Sequence, residues 1–143
     1  MVNADLLTQH ASNYKLTKDN AAEYFVQLFT KHPELAEHWN ADGIDPDSLA
    51  KAQRFIMLGM QEMQLFFRLP KTIADERQWR SALSGVKESF GDNDCSLKEF
   101  NKVSDAFLAA MEKHAGGVTA EQKKEWNSLF DKAYADMKTW GWY

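Results

Sequence analysis

Apolar residues recur every three or four positions along most of the chain, which is the spacing of helices that bury one face. The longest such pattern runs from Ser48 to Leu69. Its inward positions are Leu49, Ala52, Phe55, Ile56, Gly59, Met63, Phe66 and Phe67. We predict a single long helix here, ending at Pro70, because proline interrupts the hydrogen bonds of a helix.

Glu62 falls inside the apolar face of this predicted helix, one turn from Gly59 and Phe66. An ionised carboxylate that is removed from water is costly unless it is paired. We therefore expect Glu62 to be buried and to have a partner on a neighbouring helix.

Shorter helical patterns cover the remainder of the chain, in residues 4–14, 20–32, 33–39, 72–90, 96–115 and 119–137. Capping boxes are predicted where a cap residue precedes Glu or Gln by three positions. These pairs are Asn20 with Glu23, Ser96 with Glu99, and Thr119 with Gln122. No strand pattern, repeat or long linker is visible. We predict an all-α protein of about seven to eight helices, folded as one domain over residues 1–143.

Composition narrows the range of functions. The net charge of −4 argues against a nucleic-acid partner, which requires a basic face. No apolar run is long enough for a membrane span, and the first residues lack a signal-peptide core, so we expect a soluble, cytoplasmic protein. The single cysteine, Cys95, excludes an internal disulfide. We expect Cys95 to lie in an exposed turn.

Two segments resemble the globin family, in particular invertebrate globins. TKHPELAEHW, residues 30–39, is similar to the passage from the second globin helix through a proline into the third. AAMEKHAGGVTAEQKKEWNSLFDKAYADM, residues 109–137, is similar to the last two globin helices with their Gly-Gly corner. The resemblance implies the globin fold, and in working members of the family it implies haem and oxygen binding.

The resemblance also places a ligand pocket. Phe25 corresponds to the inward position of the second helix, Trp39 to the ring that packs on haem, and Leu58 to the distal residue. Glu62 takes the ligand-facing position one turn later, and Phe66 adds bulk to the same cavity. Lys87 stands where the family has the iron-binding histidine. The chain has four histidines, none of them on this helix: His10, His32, His38 and His114.

Two interpretations follow from this pocket. In the first, Lys87 and Glu62 pair where iron would sit, so the haem site is remodelled or lost. The protein then has no cofactor and is a non-catalytic binding or structural module, with its cavity closed or holding a small apolar ligand. In the second, the protein is a haem- and oxygen-binding globin, and Lys87 is the metal ligand. Lys87 at the helix rim, with its ammonium group in solvent, is a further alternative. We expect no enzyme activity, because no distal histidine is present for acid–base chemistry.

Overall fold

Helices are the only regular elements in the computed structural model, which describes residues 1–143. The six α-helices are α1 (Ala4–Ser12), α2 (Glu23–Lys31), α3 (Gln53–Thr72), α4 (Glu76–Asp92), α5 (Val103–His114) and α6 (Ala120–Thr139). Three 3-10 helices, Pro33–Trp39, Pro46–Lys51 and Leu97–Lys102, precede α3 and α5. The predicted all-α class is confirmed. No helix is both long enough and apolar enough to cross a bilayer.

The long apolar pattern is divided between two helices. Residues Pro46–Lys51 form a 3-10 helix that Asp45 caps by accepting a hydrogen bond from the Asp47 N–H at 3.1 Å. The helix α3 starts only at Gln53 and continues through Pro70 to Thr72, so the predicted end at Pro70 was wrong. Pro70 cannot donate to the Phe66 carbonyl and its ring crowds that carbonyl, and α3 continues for only two residues beyond Pro70.

One of the three predicted capping boxes forms. Thr119 and Gln122 exchange both hydrogen bonds at the start of α6. The Asn20 side chain instead accepts from the Thr17 N–H, and α2 starts without a side-chain cap. Ser96 accepts from the Lys98 N–H and starts a 3-10 helix, without a reciprocal bond from Glu99. Polar side chains can bond to several local backbone groups, so the spacing alone did not decide which one they choose.

Buried aromatic rings connect the helices through one cluster of 38 residues. Phe107 of α5 is at its centre, with its ring centroid 4.6 Å from Trp126 and 5.6 Å from Phe66. The Trp126 indole donates a hydrogen bond to His10 Nδ1, and His10 Nε2 lies 2.9 Å from the Gly117 carbonyl oxygen. Because Nδ1 accepts from Trp126, the ring proton is assigned to Nε2, which donates to Gly117. His10 therefore joins α1 to the last corner of the fold.

Gly59 allows α3 to cross very close to the segment that leads into α2. A Cβ atom at this position would overlap the carbonyl group of Ala21. The obstacle is backbone, so a side chain at Gly59 could be accommodated only by moving a helix. This crossing sets the position of α3, and with it the position of Glu62.

Gly59→Ala is expected to destabilise the protein by at least about 2 kcal/mol, because the added methyl group overpacks a helix crossing. Urea unfolding followed by circular dichroism measures this change. Gly91→Ala is the matched control, since a Cβ at Gly91 meets nothing within 4 Å. It should be neutral or stabilise α4 by up to about 1 kcal/mol. Equal stability of the two variants would show that the crossing has room to relax.

Candidate functional site: the cleft between α3 and α4

Glu62 of α3 is buried, with 4% of its surface exposed, as the sequence predicted. Its partner is not the one expected. The Ser89 hydroxyl of α4 donates to Glu62 Oε2 at 2.6 Å, while Glu62 Oε1 is buried without any hydrogen-bond partner. The carboxyl group is therefore only half satisfied.

Lys87 points away from this cleft, so the predicted Glu62–Lys87 ion pair was wrong. The Lys87 side chain is exposed and its Nζ lies 4.7 Å from the centroid of the Trp142 ring. The reason is helical geometry. Val86 is fully buried, and the next residue is rotated by about 100° to the outside of α4. Ser89, three residues after Val86, returns toward α3.

Ser89 is the site residue that the sequence analysis missed. Its spacing of three from Val86 and seven from Ala82 places it at the edge of the buried face of α4. That spacing was readable in the sequence. A small polar residue at a face edge usually bonds to its own helix or to solvent, so the pattern alone did not indicate a cross-helix hydrogen bond.

Burial determines the protonation of Glu62. Loss of hydration raises the pKa of its carboxyl from 4.5 to about 7, and the hydrogen bond from Ser89 opposes this rise. Burial, followed by the negative charge of Glu62, also raises the pKa of the Tyr24 hydroxyl. With a pKa of about 7, the Glu62 carboxyl group changes between its neutral and ionised forms near neutral pH.

The cleft beside Glu62 has a volume of about 330 Å³, and most of its lining residues have polar side chains. Its walls are Arg54, Leu58, Gln61, Glu62, Leu65, Gly85, Glu88, Ser89, Asp92 and Asn93. The two helices are close here, since a Cβ at Gly85 would lie 2.8 Å from Leu65 Cδ2. At one end, the Arg54 guanidinium donates to the Trp39 carbonyl oxygen at 2.6 Å. Small-molecule pockets are typically about 300–1,000 Å³, so this cleft suits a small ligand.

Only two of the six predicted pocket residues, Leu58 and Glu62, line this cleft. Phe25 and Trp39 pack against each other in the core, with ring centroids 5.8 Å apart. Phe66 is fully buried against Phe107. Trp39 also has an indole N–H without a partner. Phe25, Trp39 and Phe66 therefore belong to the aromatic core of the protein rather than to the lining of this cleft.

No histidine lines the cleft. His10 bonds to Trp126 and Gly117, His32 lies 3.0 Å from Asp105, and His114 lies 3.4 Å from Glu23. His38 is half-buried next to Trp39 and lines a separate groove at the end of α4. No group of three His, Cys, Asp or Glu side chains is arranged to hold a metal ion.

The cleft residues do not fit a haem group. A porphyrin needs a broad apolar slot and an axial donor such as histidine. This cleft offers two leucines, three carboxyl groups and an orphaned carboxylate oxygen, and the acidic side chains would repel the haem propionates.

Cys95 is also not where the sequence analysis placed it. It is 4% exposed, and burial raises the pKa of its thiol to about 11. The expected exposed turn was wrong, because the Cys95 N–H bonds back to the Phe90 carbonyl and folds the side chain inward. A buried thiol with a raised pKa is a poor nucleophile.

The chain belongs to the globin family, whose model, described as Globin, matches residues 22–137. It is similar in structure to a globin-like protein of C. elegans, GLB-1, with a TM-score of 0.82 and 17% identity, covering 95% of this chain and 89% of that one. It is also similar to the ferric myoglobin of Aplysia limacina, with a TM-score of 0.76 and 17% identity. This match covers 95% of the present chain and 94% of the myoglobin chain. No curated protein matches in a sequence search.

Glu62→Gln should change how stability depends on pH. The folded protein keeps the Glu62 proton between pH 4.5 and about 7 whereas the unfolded chain loses it, so this residue lowers the free energy of unfolding as pH rises through that window. Glu62→Gln has no ionisable group at this position and therefore does not lose this free energy of unfolding. Relative to the wild type it should gain up to about 3 kcal/mol between about pH 5 and about pH 8.

Urea unfolding at several pH values measures the difference between the two proteins. Glu88→Gln is the matched control, because Glu88 is exposed on the same cleft. It should leave the pH dependence of the wild type unchanged. Parallel pH profiles for the wild type and Glu62→Gln would contradict the burial argument.

Proposed function

We propose that this globin does not hold haem iron and acts as a non-catalytic binding or structural module. The observation that supports this most directly is the Glu62–Ser89 hydrogen bond, which joins α3 to α4 across the cleft. Neither side chain is a good iron ligand, and no imidazole is available beside them. One hydrophobic cluster supports the further proposal that residues 1–143 form a single domain.

The packing around the cleft supports the same proposal. Phe25 and Phe29 of α2 and Phe90 of α4 pack against Trp39, and Phe55 of α3 packs against Phe25. Moving them aside for a large ligand would cost the contacts of several well-packed aromatic pairs. The small polar cleft is the space that remains between α3 and α4.

The alternative is a haem- and oxygen-binding globin in which Lys87 binds iron. Family membership favours it, because globins normally bind haem. The position of Lys87 argues against it. Its ammonium lies over Trp142 on the outside of α4, and lysine binds a metal only after losing a proton whose usual pKa is about 10.4. Lys87 would have to leave Trp142 and turn around the helix.

Titration of the purified protein with hemin tests the proposal. We expect no Soret band to remain after gel filtration and no change in melting temperature, because no residue of the cleft binds iron. Aplysia limacina myoglobin is the positive control. A stoichiometric Soret band that survives gel filtration would overturn the proposal. If such a band also changed in Lys87→Ala but not in Lys113→Ala, an exposed lysine on α5, the alternative would be supported.

A further inference from the structure

We propose that the cleft between α3 and α4 binds a short aliphatic diamine in its doubly protonated form. One ammonium group would bind Glu62 and Ser89 inside the cleft, and the other would bind Glu88 and Asp92 at its rim. The inference rests on the proposed function, because a haem group would require the same space. It differs from the apolar ligand that the sequence analysis considered, because the cleft is lined mostly by polar side chains.

The inner contact follows from the unsatisfied oxygen of Glu62. A buried carboxylate oxygen without a donor costs free energy, and Glu62 Oε1 has none in the folded protein. Because Glu62 Oε1 is closed to solvent, the proposed contact requires the Glu62 carboxylate to rotate toward the cleft when the ligand binds. An ammonium group supplies three N–H donors and a full positive charge. Ser89 uses its only hydroxyl hydrogen on Glu62 Oε2, so the lone pairs of Ser89 Oγ are free to accept from the same ammonium.

Charge complementarity favours a dication. The cleft is lined by three acidic side chains and one basic side chain, so with Glu62 ionised its net charge is −2. Arg54 is already held by the Trp39 carbonyl at one end. Glu88 and Asp92 are exposed and one turn apart on α4, so their carboxylates present adjacent negative charges to solvent.

The shape of the cleft favours an extended ligand over a metal ion. The acidic side chains are not clustered closely enough to coordinate one metal. Ser89 and Asp92 are separated by a rise of about 4.5 Å along α4, so a short methylene chain can bring its two ends to both positions. Leu58 and Leu65 supply the apolar contact for that chain.

Isothermal titration calorimetry of the haem-free full-length chain with putrescine, at about pH 8 and low salt, tests the inference. We expect saturable binding at one site per chain. n-Butylamine, with the same carbon chain but one charge, should bind at least about tenfold more weakly because it lacks the rim contact.

Variants separate the two contacts. Glu62→Gln, which should fold at least as well as the wild type, is expected to weaken putrescine binding at least about tenfold. The double variant Glu88→Gln with Asp92→Asn should reduce the preference for putrescine over n-butylamine. Glu112→Gln, an exposed residue of α5 outside the cleft, is the matched control and should bind like the wild type. In the wild type, protonation of Glu62 below about pH 7 should make putrescine binding weaker than at about pH 8.

Absence of saturable binding would overturn the inference, as would equal binding by the wild type and Glu62→Gln. Equal affinity for putrescine and n-butylamine would overturn the rim contact and therefore the diamine. Displacement of putrescine by equimolar K⁺ or Mg²⁺ would reassign the site to an inorganic cation. A haem-free protein that fails to bind putrescine would refute this inference alone, whereas stable haem binding would refute the proposed function as well.

Discussion

The dehydration of Glu62 is the constraint around which the centre of this globin is built. A carboxyl group between two tightly packed helices must find donors, lose its charge or destabilise the fold. Here it finds one donor, Ser89, and its pKa rises to about 7. The second oxygen stays without a partner. An apolar residue at this position would avoid the cost of dehydrating a carboxyl group, and the proposed ligand binding rests on this unsatisfied group.

The helix crossing at Gly59 is the reason that Glu62 is buried. At Gly59, α3 packs directly against the backbone of Ala21, and this contact fixes α3 in the interior of the protein. Glu62 follows Gly59 by three residues and is therefore carried into the interior. Across the cleft, the Leu65 side chain of α3 packs where Gly85 of α4 has no side chain, which keeps the two helices close. The narrow cleft and the half-satisfied carboxyl group both result from this close packing.

The aromatic cluster explains how a globin can retain its fold when the cleft does not fit a haem group. Trp39, Phe25, Phe55 and Phe90 pack edge to face or at tilted angles across several helices. Such rings bury large apolar areas and prefer these geometries. Under the proposed function, these rings supply the central packing of the fold without a prosthetic group. Globin membership therefore specifies the scaffold, while the function depends on the residues of the cleft.

Periodicity alone was sufficient for the helical class and for the burial of Glu62 and Phe66, because these depend on local spacing. The spacing of cap residues was not sufficient, since of three predicted capping boxes only the one at Thr119 forms. Periodicity did not predict the hydrogen-bond partner of Glu62. A rotation of α4 by one residue moves a side chain through about 100°, and this decides between Lys87 and Ser89. That rotation is set by how Val86 and Phe90 pack into the core. Only the assembled helices could therefore show that Lys87 faces Trp142 and that Ser89 faces Glu62.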